Sequence, residues 1–263
     1  MPVAFSGVEN YAPVTSAQAS GVHAVQAIGD TGVVVGGILT PSQIFGTNLK
    51  HGYQGKNPSN VQAAGQWTSW FDAGQAPVLL NGANKPLVVS AGINGEDSAS
   101  FISSSQLFFQ TASTLALSQP FTVGLIIKPS AVIITGNDRF WVCQDGGGAA
   151  DIRYNDQASP YISIHAGTDT ITANALVDGN VMAVMAHFEG ASSFITINHG
   201  AQIGLGTDIG SAGFTMVNVG LSPGADPNFD ANGLLSEIWF PTGASTQAQY
   251  NQFQAYLCKA AGV

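Results

Sequence analysis

GLLSEIWF, residues 233–240, sets one carboxylate inside a run of otherwise apolar side chains. Left ionised and unpaired in an apolar interior, Glu237 would cost several kcal/mol or keep its proton to higher pH, so partners must accompany it. A carboxylate so placed is a catalyst, a metal ligand or a structural acceptor. The C-terminal segment narrows the fold. In TGASTQAQYNQFQAYLCKAAGV, residues 242–263, Thr246 and Gln249 have the spacing of a capping box. Tyr250, Phe253 and Leu257 recur on one helical face, Lys259 falls in the last turn, and Gly262 can end the helix. A short helix after an apolar strand must lay its face on a sheet.

Upstream the pattern is one of short strands separated by Gly, Pro, Asn and Asp turns. In PFTVGLIIK, residues 120–128, Phe121, Val123, Leu125 and Ile127 alternate onto one face. YISIHA, residues 161–166, puts Ile162 and Ile164 on one side, with Tyr161, Ser163 and His165 on the other. NVMAVMAHF, residues 180–188, is apolar on both faces, as a strand covered on both sides would be. The expectation is an all-β fold: an antiparallel β-sandwich of jelly-roll type over residues 65–263, with one short C-terminal helix. Residues 1–64 differ. They are rich in Ala, Gly, Val, Ser and Gln, with Glu9 and Asp30 the only charges before Lys50, and HGYQGKNPSN, residues 51–60, is a turn-rich joint. That segment reads as an N-terminal assembly arm or small β appendage, or as extra strands on the main domain.

Composition limits the function. Only 9% of the 263 residues are charged and mean hydropathy is +0.19, against about 25% charged in an average soluble protein. A surface so poor in charge suits a subunit that hides much of its outside in an assembly. Seven Lys plus Arg and a net charge of -9 leave no basic stripe for nucleic acid or an anionic membrane. No apolar run approaches the roughly 20 residues of a spanning helix. The first residues lack the basic start and apolar core of a signal peptide, so synthesis and retention in a cytoplasm until assembly, or release by another route, are expected. Cys143 and Cys258 are read as free thiols in that setting, with a disulfide between them as the alternative.

Five segments in order carry a resemblance: WTSWFDAG (residues 67–74), PFTVGLIIKP (120–129), NVMAVMAHFEG (180–190), FITINHG (194–200) and NGLLSEIWF (232–240). Together they resemble the concanavalin A-like lectin/glucanase superfamily, specifically the laminin-G-like jelly rolls common in bacteriophage structural proteins and bacterial surface proteins. His199 interrupts the Asn-Gly dipeptide usual in such domains. The resemblance implies a non-catalytic Glu237 that accepts hydrogen bonds from backbone N–H groups or from a hydroxyl on the final helix. It also implies a non-enzymatic virion protein, a capsid decoration or short appendage. Such a subunit would be a homo-oligomer, first expected as a trimer, that contacts other virion proteins through its N-terminal arm and binds host glycans. A carbohydrate-active enzyme and a carbohydrate-binding adhesin or lectin on the same fold stay open.

The chemistry-bearing residues are dispersed. Retaining glycosidases need two carboxylates about 5 Å apart; Glu237 has no acidic neighbour two or four residues away, and Glu96 and Asp97 are adjacent and would face opposite ways in a strand. No His-x-x-x-His or Cys-x-x-Cys pair occurs. His187 reads as a sheet residue with a satisfied ring. ADPNFDANGLLSE places Asp226, Asn228, Asp230, Asn232 and Glu237 at offsets 1, 3, 5, 7 and 12, imitating a calcium loop, although Ala231 stands where that turn needs glycine. An Asp/Asn-rich hairpin loop is the competing reading, and no cofactor is required. CQDGGGAADIRYNDQ, residues 143–157, brings Asp145, Asp151 and Asp156 into a second acidic loop suited to calcium or a sugar hydroxyl. Glycan binding needs an aromatic platform beside polar groups. Trp141, Tyr154 and Tyr161 with Asp145, Asn155 and Asp156 are its candidates; Trp141 can equally be core.

Overall fold

The computed structural model describes residues 37–56, 61–63, 65–71, 77–79, 85–110, 117–130, 138–144, 150–155, 159–175, 179–215, 217–221 and 228–263. A short helix, α1 (Pro41–Phe45), opens this part. The strands follow as β1 (Leu49–Gln54), β2 (Val61–Ala63), β3 (Gln66–Phe71), β4 (Pro77–Leu79), β5 (Leu87–Ile93), β6 (Glu96–Phe101), β7 (Phe109–Gln110) and β8 (Phe121–Pro129). Then come β9 (Asp138–Gln144), β10 (Asp151–Asn155), β11 (Tyr161–His165), β12 (Thr170–Asn174), β13 (Met182–Phe188), β14 (Phe194–Ile197), β15 (Val217–Val219) and β16 (Gly233–Pro241). The helix α2 (Gln247–Ala261) closes the order.

Among the described residues the strands form two antiparallel sheets. The ten-stranded sheet runs β14-β13-β8-β16-β6-β5-β3-β2, with β1 on β16 and β4 on β3; the six-stranded sheet runs β12-β11-β10-β9-β15-β7. Their facing sides share one core. Phe121, Val123, Leu125 and Ile127 enter it from β8, as the alternation predicts, and Met182, Val184, Ala186 and Phe188 enter from β13. Ile152, Tyr154, Ile162, Ile164, Ile171, Val217 and Val219 meet them from the other sheet. The expected β-sandwich is the observed fold.

The second apolar side of β13 is explained by α2. Its Thr246 cap accepts from the Gln249 N–H, Gln249 Oε1 accepts from the Thr246 N–H at 3.0 Å, and Gly262 ends it at φ +76°. Tyr250, Phe253 and Leu257 are buried against the outside of β13 and β8. Gly124, in the middle of β8, makes the approach possible: a Cβ there would lie 2.3 Å from the Phe253 ring.

The structure places residues 40–54 with the main body rather than apart from it. The compact unit spans Thr40–Val263, and β1 pairs with β16, Gln54 facing Glu237 in register. Thr40 and Gln43 give α1 a capping box of its own. Residues 1–36, most of the expected arm, lie outside the described residues. No described helix is long and apolar enough to cross a membrane.

Candidate functional site

Glu237 answers to the third of its three readings. It is 3% exposed and points from β16 toward α2. Tyr256 donates its hydroxyl to Oε2 at 2.9 Å, Trp239 donates Nε1–H to Oε2 at 2.8 Å, and Gln54 donates to Oε1 at 3.1 Å. The Gln54 amide also donates to the Tyr256 hydroxyl at 2.8 Å, closing the network. Burial raises the Glu237 pKa above the ordinary carboxylate value, while the Trp239 and Tyr256 hydrogen bonds pull it back down. Burial and the facing carboxylate push Tyr256 upward as well. The expected hydroxyl on the final helix is therefore Tyr256. Gln54 is the partner that sequence does not announce, because it comes from a strand nearly two hundred residues away in the region read as an arm.

A second cluster lies under the same helix. The His187 ring is 1% exposed; Nδ1 lies 3.0 Å from Thr122 Oγ1, and Nε2 lies 3.2 Å from Glu189 Oε2 and 3.1 Å from the Tyr250 hydroxyl. Burial lowers its pKa, against the Glu189 carboxylate, which raises it. Each polar ring atom has a partner, as expected for a satisfied sheet histidine. Cys258, also on α2, is a free buried thiol whose pKa burial pushes up to about 11.

The outside of the six-stranded sheet is built differently. Side chains alternate along a strand, and since Ile152 and Tyr154 face the core, Asp151, Arg153 and Asn155 face outward. The same parity turns out Tyr161, Ser163 and His165 on β11, Thr170, Thr172 and Asn174 on β12, Asn218 on β15 and Gln110 on β7. Register then aligns a polar row across all six strands: Gln110, Asn218, Cys143, Asp151, His165 and Thr170. Two shorter rows run beside it, Arg153–Ser163–Thr172 and Asn155–Tyr161–Asn174. With strands about 4.8 Å apart the row is about 24 Å long.

Asp151 anchors this face. It is 0% exposed and takes a two-pronged hydrogen bond from Arg153, Nε to Oδ1 at 2.7 Å and Nη2 to Oδ2 at 2.6 Å. Such fork-to-fork pairs are strong and fix the plane of both groups. His165 Nδ1 stands 3.7 Å from Oδ2, and Gln110 donates to Asn218 Oδ1 at 3.0 Å. Burial grades across the face: Asn218, Asp151, Asn155 and Ser163 are buried, Tyr161, Arg153 and His165 half-buried, and Thr170, Thr172 and Asn174 exposed. Asp138, the other acidic residue in register on β9 and β10, pairs with Asn155. It therefore sits four residues, about 13 Å, along the strand from Asp151.

The expected glycan platform does not form from its named rings. Trp141 and Tyr154 are each 1% exposed and belong to the core, Trp141 lying edge-on to Phe101 at 6.0 Å. A ring packed between the sheets has no face for a sugar. Tyr154 takes the inward parity of Ile152 two residues before it. Tyr161 and Asn155, facing each other in register, do reach the polar face; Asp145 and Asp156 lie outside the described residues. The calcium pattern also disperses. Glu237 turns to α2, Asn228 is exposed while Asp230 is 0% exposed, and the buried Arg139 donates to the Asn228 carbonyl at 2.7 Å, so a guanidinium already supplies positive charge there. Asp226 lies outside the described residues. Among the described residues no group of three or more His, Cys, Asp or Glu is placed to hold a metal.

No family model matches the chain, nor does any curated protein sequence. Solved structures do. The chain is similar to an arabinofuranosidase complexed with arabinofuranosyl-alpha-1,2-xylobiose (TM-score 0.55, 10% identity, 74% of this chain and 51% of that one). It is similar to the binding domain of botulinum neurotoxin serotype G (TM-score 0.55, 6% identity, 78% and 50%). A third likeness is to Trypanosoma rangeli sialidase (TM-score 0.51, 12% identity, 85% and 34%). The chain thus spans between a third and about half of the length of these proteins. At such identities the likeness is one of fold alone, the β-sandwich.

Proposed function

We propose that this chain is a non-enzymatic β-sandwich subunit of a bacteriophage particle, a capsid decoration or short appendage, that binds host-surface glycans on the outer face of its six-stranded sheet. The observation that carries the binding reading is the aligned row from Gln110 to Thr170. Its outer end offers the exposed Thr170 hydroxyl and the half-buried His165 imidazole, while the buried Asp151 behind them is neutralised by Arg153. Such a face matches the hydroxyls of neutral sugars, with Tyr161 as the ring beside them. The non-enzymatic reading is supported by the separate fates of two buried carboxylates: Glu237 is held under α2 by Trp239, Tyr256 and Gln54, and Asp151 is paired with Arg153. The viral reading extends from the laminin-G-like sequence resemblance and the low charge. Contact with other virion proteins would run through the N-terminal arm, read from the sequence as residues 1–64.

A glycan array probed with the full chain tests the binding reading. Binding to neutral oligosaccharides that Tyr161→Ala and Thr172→Ala weaken would uphold it; no binding, or binding indifferent to both changes, would count against it. Incubation with the bound glycans followed by product analysis tests the non-enzymatic reading, since any turnover lost in Asp151→Asn defeats it. Mass spectrometry of purified particles against culture supernatant tests the location, and deletion of residues 1–36 should leave a folded domain that no longer incorporates.

A further inference from the structure

The six-stranded sheet ends at β12, and the way β12 pairs fixes what its outer edge offers. The Ala175 N–H donates to the Pro160 carbonyl at 2.9 Å, so 160/175 is a hydrogen-bonded pair. Antiparallel pairs alternate between bonded and non-bonded. Counting by two, Ala173 bonds to Ile162 and Ile171 to Ile164, and the backbone groups of Thr170, Thr172 and Asn174 turn away from β11. The Thr170 N–H is taken by Asp169 Oδ1 at 2.8 Å; those of Thr172 and Asn174 have no partner among the described residues. Edge strands are normally blunted by a Lys, a Pro, a bulge or a cover. TITAN has no charge and no proline, pairs with β11 without a bulge, and leaves Thr170, Thr172 and Asn174 exposed.

Apolar surface flanks the same edge. Gly204 packs so tightly on Ile171 that a Cβ would lie 2.4 Å from that side chain. Its neighbours Ile203 and Leu205, at 42% and 60%, are the most exposed large hydrophobics described. Open backbone groups beside uncovered apolar side chains mark an interaction site. The partner follows from self-complementarity. About a two-fold axis through Thr172, that residue exchanges both backbone bonds with its own copy, and each Asn174 N–H donates to the facing Thr170 carbonyl. The facing side chains are then Thr–Thr and Thr–Asn, all uncharged, which matters in a chain of net charge -9. Asp169 falls opposite Ala175 and meets no like charge.

We infer that β12 joins a second copy of this chain by antiparallel self-pairing, merging two six-stranded sheets into one continuous sheet with Ile203 and Leu205 buried at its flank. Isologous contact of this kind gives copies in pairs, in place of the trimer the resemblance implies. Analytical ultracentrifugation of the full chain should show two copies. Thr172→Pro removes only an N–H that faces outward, a place where strands accept proline, and should weaken the pairing at least about tenfold. Thr172→Lys sets like charges opposite each other and should act in the same direction without touching the backbone; it decides the matter if circular dichroism shows the proline variant misfolded. Oxidised Thr172→Cys should give a disulfide-linked dimer, since bonded pairs lie about 5.5 Å apart at Cα. A single copy at the highest soluble concentration, a three-copy particle, or pairing that survives Thr172→Lys with a native spectrum each overturns the inference.

Discussion

Glu237 and Asp151 are both buried carboxylates on strand positions facing away from the common core, one on each sheet, yet their surroundings differ throughout. Glu237 accepts from neutral donors, Trp239, Tyr256 and Gln54, beneath a helix that seals the sheet. Asp151 is met by a full opposite charge from Arg153, amid Ser, Thr, Asn and His side chains that grade outward into solvent. The difference teaches how one fold divides its labour. Where α2 covers the sheet, polar groups are closed into networks that specify packing; on the other sheet, where no described helix lies, they run from buried at Asn218 and Asp151 to exposed at β12.

Substitutions can break or sharpen that contrast. The largest effect is expected at Phe253, 0% exposed between α2 and β8: Phe253→Ala should cost about 3–5 kcal/mol in urea unfolding. If α2 is only an appendage, the loss will be far smaller. Glu237→Leu strands the Trp239 indole, the Tyr256 hydroxyl and the Gln54 amide without their acceptor, and should cost about 2–3 kcal/mol. Glu237→Gln keeps an acceptor and should cost clearly less; equal costs would mean that the network matters only as packing. Gly124→Ala would drive a methyl into the Phe253 ring and should cost about 1–3 kcal/mol by the same assay.

Acidity separates the two buried titrating groups under α2. Glu237 holds its proton more tightly when folded, so its contribution is complete below its ordinary value of 4.5 and is lost as pH rises through the raised folded value. His187 is harder to protonate when folded, so its contribution is present above 6.5 and is lost as pH falls through the lowered folded value. Unfolding curves across the acidic range should show the wild-type advantage over Glu237→Gln shrinking as pH climbs, and that over His187→Asn growing. Matching slopes in both variants would refute the assignment. The smallest effect belongs to the open face: Asn174→Ser should leave the melting free energy within about 0.5 kcal/mol, as calorimetry at a dilution that keeps single copies would record.

Much of the scaffold is legible before any coordinates, because its signals are local. Phe121 to Ile127 alternate, residues 180–188 are apolar on both sides, and Thr246, Gln249 and Gly262 mark the ends of α2. The polar row is not legible in that way. Gln110, Asn218, Asp151, His165 and Thr170 come from separate strands, and only the strand order and register bring them into line. Gln54 escapes notice for the same reason, its pairing to Glu237 spanning 183 residues of sequence. Tyr154 is a different kind of miss. The alternation of Ile152 and Tyr154 already turns its ring inward, and reading the segment as an acidic loop hid the parity.

β16 lies in the middle of the ten-stranded sheet, bonded to β8 on one side and to β6 and β1 on the other. During translation, therefore, β1, β6 and β8 leave the ribosome long before the strand that joins them exists. The nascent chain must hold three sticky edges apart, at synthesis rates of about 5–20 residues per second, until Gly233–Pro241 emerges. A ribosome-bound chain halted before residue 233 should bind chaperones and resist none of the protease that the released protein withstands.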